Sequence, residues 1–159
     1  MTPSILIWIE KTRRNHPWIA GDVIEIGSFD INGNPRGLFG DASSYTGVDC
    51  QSGPTVDVLC EIESLPNRFI SGTFDTVICC ETLEHVSDPI KALHNIRQLV
   101  KVGGYLLVTS PANGFPEHRY PRDYFRLMPD AWHEIVFNGL CIVNLTTTQD
   151  YITCGLARK

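Results

Sequence analysis

Apolar positions fall into two alternating periods along this chain. Ile5, Trp8 and Ile9 recur at helical spacing, which predicts a short amphipathic helix over residues 4–14. The run DVIEIG (22–27) predicts a strand that stops at a glycine, and NPRGLFGD (34–41) can hold a short helix. SYTGVDC (44–50) is a second strand ending in an acidic residue, and TVDVLCEI (55–62) is a third, followed by the turn ESLP. FDTVICCE (74–81) is the fourth and the most apolar. The clearest helix covers 87–104: Ser87 or Asp88 caps it, Pro89 suits its first turn, and Gly103 and Gly104 stop it. GYLLVTSP (104–111) is a fifth strand, and 128–140 is a helix with Asp130 near its start and Gly139 at its end. CIVNLTTTQ (141–149) and DYITCGLARK (150–159) close the chain as two strands with almost nothing between them.

This order predicts an α/β fold. Strands separated by helices need right-handed crossovers and build a mostly parallel sheet covered on both faces. The last two strands can only form a tight antiparallel hairpin. The expected architecture is a Rossmann-like, doubly wound sheet of about seven strands, with residues 1–159 as a single domain. Ligands in such sheets bind outside the carboxyl ends of the strands, so each strand-end residue is a site candidate.

Composition narrows the partners. A net charge of −5 with mixed signs argues against a broad nucleic-acid footprint, which needs a basic face. Arg119, Arg122 and Arg126 could form a local basic patch or a solvated loop edge. No apolar run approaches the ~20 residues that a membrane-crossing helix requires. The charges near the start follow a short apolar stretch, the reverse of a secretory signal. The six cysteines form no CxxC pair and lack zinc-ligand spacing; they are expected to be buried reduced thiols in a cytoplasmic protein. No metal motif is present.

The stretch VIEIGSFDING (23–33) holds the first candidate chemistry. A strand that turns at once into a loop presents main-chain amides at its carboxyl edge. Gly27 admits close backbone approach, Ser28 adds a hydroxyl, and Gly33 can take positive φ. Glu25, an acid inside an apolar strand, is expected to accept hydrogen bonds from the loop and hold its shape. A plain strand-to-loop turn is the structural alternative. The pattern is not GxGxxG, which counts against a nicotinamide-dependent oxidoreductase. Asp49, at the end of the second strand, can accept both hydroxyls of a ribose. Glu61 or Glu63 could accept from an exocyclic amine, with Ile62 against a flat ring. Glu81, Glu84 and His85 follow the fourth strand; one of the three, rather than all, is expected at the site, and Glu84 could be a helix surface or a loop brace.

Taken together, VIEIGSFDING, YTGVDC, VDVLCEIESLP, FDTVICCETLEHVSDP and GGYLLVTSP resemble the class I S-adenosylmethionine-dependent methyltransferases, above all their type 11 branch, over residues 20–111. The resemblance implies a seven-stranded sheet with an antiparallel last strand and S-adenosyl-L-methionine as cofactor. It places Glu25, Gly27 and Ser28 in the motif that wraps the methionine part, with Phe29 and Asp30 replacing part of the usual ExGxGxG. Asp30 and Asn32 could brace the loop or face the amino-acid end of the cofactor. The resemblance also puts Asp49, with Cys50 beside it, at the ribose, Glu61 and Ile62 at the adenine, and Cys80 and Glu81 along the methionine moiety.

The segment 114–132 resembles one near which substrates of such enzymes enter, so His118, Tyr120, Asp123 and Tyr124 are candidates for substrate contact or proton removal, with loop packing as their structural alternative. Methyl transfer needs a base only for a hydroxyl or a protonated amine. His85, His118 and Tyr124 are the candidate catalytic residues. The acceptor is expected to be a small molecule or glycan, methylated on O or N. A cofactor-binding module completed by a partner subunit is the alternative of a different class, and a homo-oligomer stays open.

Overall fold

The computed structural model describes residues 1–159. Its strands are β1 (Asp22–Ile26), β2 (Ser44–Asp49), β3 (Val58–Leu59), β4 (Phe74–Cys80), β5 (Val100–Pro111), β6 (Cys141–Thr147) and β7 (Ile152–Arg158). They form one sheet in the order β3-β2-β1-β4-β5-β7-β6. The first five are parallel, and β7 runs antiparallel to both β5 and β6. The expected doubly wound sheet with an antiparallel terminal hairpin is therefore the observed one. Chain order reverses between β1 and β4, which puts the ligand-binding switch point there.

The helices are α1 (Pro3–Asn15), α2 (Leu65–Arg68), α3 (Pro89–Leu99) and α4 (Pro129–Ala131). Alternation along each strand sends side chains to two separate cores. Val23, Ile78, Leu107 and Leu156 face α1 and its Ile5, Trp8 and Ile9. Ile24, Val77, Leu106 and Val108 face α3 and its Leu93, Ile96 and Leu99. Removing each such Leu or Ile from water contributes about 1.5–3 kcal/mol, so the two cores dominate the stability. Asp88 caps α3 by accepting the Lys91 amide at 3.0 Å, and Pro89 opens it.

Three elements differ from expectation. The third strand, expected over 55–62, pairs only at Val58 and Leu59. Its first part turns away instead: Thr55 has φ 69, and the Asp30 amide donates to the Pro54 carbonyl at 3.3 Å, so residues 53–55 lie against the loop after β1, and the Asp57 amide returns to β2 at the Gly47 carbonyl, 2.8 Å away. The helix expected to run to the Gly103–Gly104 pair ends at Leu99. Val100, fully buried, leaves helical geometry to pair with Phe74, and the Gly103 amide donates to the Lys159 carbonyl at 2.7 Å, so the glycines turn a strand. The helix expected over 128–140 is one α turn that widens into a π turn over Trp132–Val136. Arg97 Nη1 donates to the carbonyls of Ile135 and Val136 at 2.6 and 3.2 Å and satisfies them from α3. No helix is long and apolar enough to cross a membrane. All six cysteines are free; Cys79, Cys80 and Cys154 are buried, whereas Cys50 and Cys141 are exposed rather than buried as expected.

Candidate active site

A cleft of about 680 Å³ opens at the carboxyl ends of β1, β2 and β4. Its floor begins where β1 turns. Gly27 has φ 81, and a Cβ there would lie 2.0 Å from Thr82 Oγ1, so the chain after β4 packs directly against the bare glycine. Gly33 takes φ 115, the positive value expected of it. The expected free amides are not free. Gly27 and Ser28 both donate to the Val48 carbonyl, at 2.9 and 3.1 Å, because the loop folds back over β2. The Phe29 amide donates to Asp49 Oδ2 at 3.1 Å. This turn therefore shapes the cleft by close approach rather than by offering N–H groups to a ligand.

Glu25 and Asp30 brace that turn from behind. Glu25 is 1% exposed and lies outside the cleft. It accepts from Asn34 Nδ2 at 2.9 and 3.0 Å and from the Tyr45 hydroxyl at 2.9 Å. Its partners are thus side chains rather than loop amides. Burial outweighs these bonds and pushes its carboxyl up to about 7. Asn34 Nδ2 also donates to the Ser28 carbonyl at 3.0 Å, which ties the two ends of the loop together. Asp30 Oδ1 accepts the Gly33 amide at 2.7 Å. Ser28 is fully buried, its hydroxyl lacks a partner, and it too lies outside the cleft. Cys80 is buried in the α1-side core, where desolvation holds its thiol well above 9.

The other expected cofactor residues share one cleft. Phe29, Asp49, Cys50, Glu61, Ile62 and Glu81 all line it. Asp49 accepts the Phe29 and Gln51 amides on separate oxygens, the latter at 3.0 Å, and each oxygen keeps a lone pair for a further donor. Ile62, 9% exposed, is held by Asn95, which donates to its carbonyl at 3.1 Å. The donor set therefore fits an adenosyl group: carboxylates for hydroxyls and an amine, and an aliphatic side chain beside a ring. The volume fits a molecule of that size as well.

Opposite stands a polar group from two segments. Glu81 is pushed up to about 8 by burial and by the Glu84 charge, and it accepts from Thr109 Oγ1 at 3.3 Å. Glu84 is 1% exposed, and neither of its carboxylate oxygens has a hydrogen-bond partner. It is thus neither helix surface nor a bonded loop brace. His85 and His118 line the cleft above it, with ring centroids 5.0 Å apart. The Glu84 carboxylate lifts His118 above its ordinary 6.5. Tyr124 sits on the rim, and its amide donates to the Glu84 carbonyl at 2.7 Å, which pins the segment after β5 onto the turn after β4. Arg126 pairs with Asp123 and holds its carboxyl well below the usual range; Arg119 pairs with Glu117 at 2.5 Å. Both partners lie in the same segment, and Arg122 donates to the Tyr124 hydroxyl at 3.0 Å, so two of the three charges are paired and the arginines do not form an open basic patch.

Sequence reasoning left out several cleft residues. Val48 and Thr82 line it because their strands end there, and Phe115 lines it through the segment after β5. Asn34 lies outside it but organises the loop; an Asn directly before the Pro35 turn, whose Oδ1 accepts the Arg36 amide at 2.8 Å, was the available signal.

Strand order, hairpin and cleft define the class I α/β methyltransferase type of sheet. Residues 11–150 match the family model described as a methyltransferase domain, and the chain belongs to that family. A relative in Alkalilimnicola ehrlichii, a ubiquinone biosynthesis O-methyltransferase, is 49% identical over 71 residues, which cover 38% of this chain and 26% of that protein. The matched stretch is thus about a quarter of that relative. Among solved structures, the Burkholderia thailandensis 1,6-didemethyltoxoflavin-N1-methyltransferase, with its substrate and S-adenosylhomocysteine bound, superimposes with a TM-score of 0.76 at 16% identity. That match covers 97% of this chain and 77% of the other. The [4+2]-cyclase SpnF superimposes at 0.74 and 15% identity over 97% of this chain and 80% of its own, so the fold by itself does not fix the chemistry.

Proposed function

We propose that this chain binds S-adenosyl-L-methionine in the cleft and transfers its methyl group to an oxygen or nitrogen of a small molecule or glycan. The single observation that supports this most is the convergence of Asp49, Glu61 and Ile62 on one wall, with Glu81, His85 and His118 on the opposite wall. Asp49 would accept the ribose hydroxyls, Glu61 the adenine amine, and Ile62 would pack on the ring. When bound, the cofactor supplies an activated methyl group on a sulfonium. The chain's own contribution is orientation and partial exclusion of water. His118 and His85 lie where an acceptor hydroxyl could lose its proton, and Tyr124 at the rim could contact the acceptor. An oxygen acceptor agrees with the O-methylation carried out by the Alkalilimnicola relative, and a nitrogen acceptor with the N1-methylation carried out by the Burkholderia enzyme.

Calorimetric titration with S-adenosylmethionine and, separately, with NAD tests the cofactor. S-adenosylhomocysteine release against a panel of phenols, amines and glycans tests the transfer. Binding of the first compound with acceptor-dependent release is expected. Binding without release across the panel would mark a cofactor-holding module, and binding of NAD alone would end the reading.

A further inference from the structure

We propose that Glu84, His85 and His118 form a binding site for one divalent transition-metal cation. The three offer ligand atoms that all lie within 4.8 Å of one another. His85 Nε2 stands 3.7 Å and His118 Nε2 3.6 Å from the same oxygen, Glu84 Oε1. Those separations are too long for hydrogen bonds. They suit two donors on a shared ion: ligands about 2.1 Å from one metal stand about 3.0–3.7 Å apart for angles between about 90° and 125°.

The carboxylate is the unusual part. Glu84's side chain is fully inaccessible, yet both of its oxygens lack a donor. Burying a charge this way is costly unless something compensates it, and within the protein only the two imidazoles, when protonated, stand within ion-pair distance of it. A cation between the carboxylate and the two imidazoles would do so. Both rings are already turned for ligation. His85 Nδ1 bonds the Arg122 carbonyl, which can only accept, so that nitrogen carries a proton and Nε2, on the Glu84 side, is the one able to ligate. His118 Nδ1 faces Asp123 Oδ2 at 3.6 Å, while its Nε2 faces Glu84. An outer acceptor on the far nitrogen is the usual support of a metal-bound histidine; His85 has one in the Arg122 carbonyl, whereas His118 Nδ1 makes no hydrogen bond and has the Asp123 carboxylate only nearby.

Two imidazoles and one carboxylate favour a first-row transition ion over magnesium or calcium, which prefer all-oxygen shells. The remaining positions open on the cleft, where Glu81 lies beside His118. If the cleft carries out methyl transfer as proposed above, an oxygen of the acceptor would complete the shell.

The test uses the full chain, stripped with a chelator and then freed of it. Titration with Mn2+ followed by electron paramagnetic resonance should show one equivalent bound, and Co2+ should give ligand-field absorption of a nitrogen and oxygen site. Glu84→Gln and His118→Ala should each weaken Mn2+ binding more than tenfold, with circular dichroism unchanged. Should Glu84→Gln fail to fold, His118→Ala and His85→Ala carry the comparison, since both rings are partly exposed. No saturable binding of Mn2+, Co2+ or Zn2+ by the unaltered chain, or equal binding by the variants, overturns the proposal. S-adenosylmethionine affinity, measured on the metal-free protein, separates a failure of this site from a failure of the methyltransferase reading.

Discussion

Replacing Glu25 with Gln removes one titration from the interior while keeping the side chain's length. Burial raises the Glu25 carboxyl from 4.5 to about 7, against the bonds from Asn34 and Tyr45 that pull it down. A carboxyl whose folded pKa exceeds its unfolded value stabilises the fold fully below the unfolded pKa. That contribution is lost as pH rises through the folded pKa. A displacement of about 2.5 pH units corresponds to about 3.4 kcal/mol. About 2.5 kcal/mol of it disappears between about pH 5 and pH 8. Urea denaturation of both proteins across that window measures it. The stability of the unaltered chain minus that of Glu25→Gln should fall by about 2.5 kcal/mol as pH rises. Glu81, displaced in the same direction, cancels in this difference because it is present in both. A difference that is flat, or that grows with pH, would refute the claim that desolvation outweighs the hydrogen bonds.

Gly27→Ala should lose about 1–2 kcal/mol from its left-handed backbone alone, and more from the Cβ placed 2.0 Å from Thr82 Oγ1. Thermal melts check this, and adding Thr82→Ala should restore only the second part. Asp49→Asn should weaken S-adenosylmethionine binding by about tenfold or more, the worth of a charge-assisted hydrogen bond. Calorimetry reads it, and an unchanged affinity would remove Asp49 from the site. Arg97→Ala strips the carbonyls of Ile135 and Val136 of their donor and should cost about 1–3 kcal/mol. Hydrogen exchange should rise over 132–137 while β4 stays protected.

Periodicity revealed the strands because each carries its burial in local sequence. β4 is visible as a continuous apolar run because it is buried on both faces, with Val77 and Cys79 in one core and Ile78 and Cys80 in the other. Elements set by distant partners were not legible. Leu99 ends α3 because Val100 pairs with Phe74, and no local signal marks that pairing. The third strand was overread because its pattern could not reveal that residues 53–55 lie against the loop after β1. At the site, strand ends gave Asp49, Glu61 and Glu81 their places. Glu25 and Ser28 share the same motif, yet they point behind the loop. The grouping of Glu84 and His85 with His118 arises from a segment 33 positions later folding onto the turn after β4, where the Tyr124 amide meets the Glu84 carbonyl.

Because β7 lies between β5 and β6, its residues 152–158 complete the sheet's interior although they follow the end of β5 by about forty residues. During synthesis the β5 edge stays open, with seven residues from Tyr105 to Pro111 awaiting their partners, until that stretch has emerged. At about 5–20 residues per second the roughly forty intervening residues take seconds. Over that interval a nascent chain carries an unpaired, apolar central edge, the feature that holdase chaperones and neighbouring strands most readily capture.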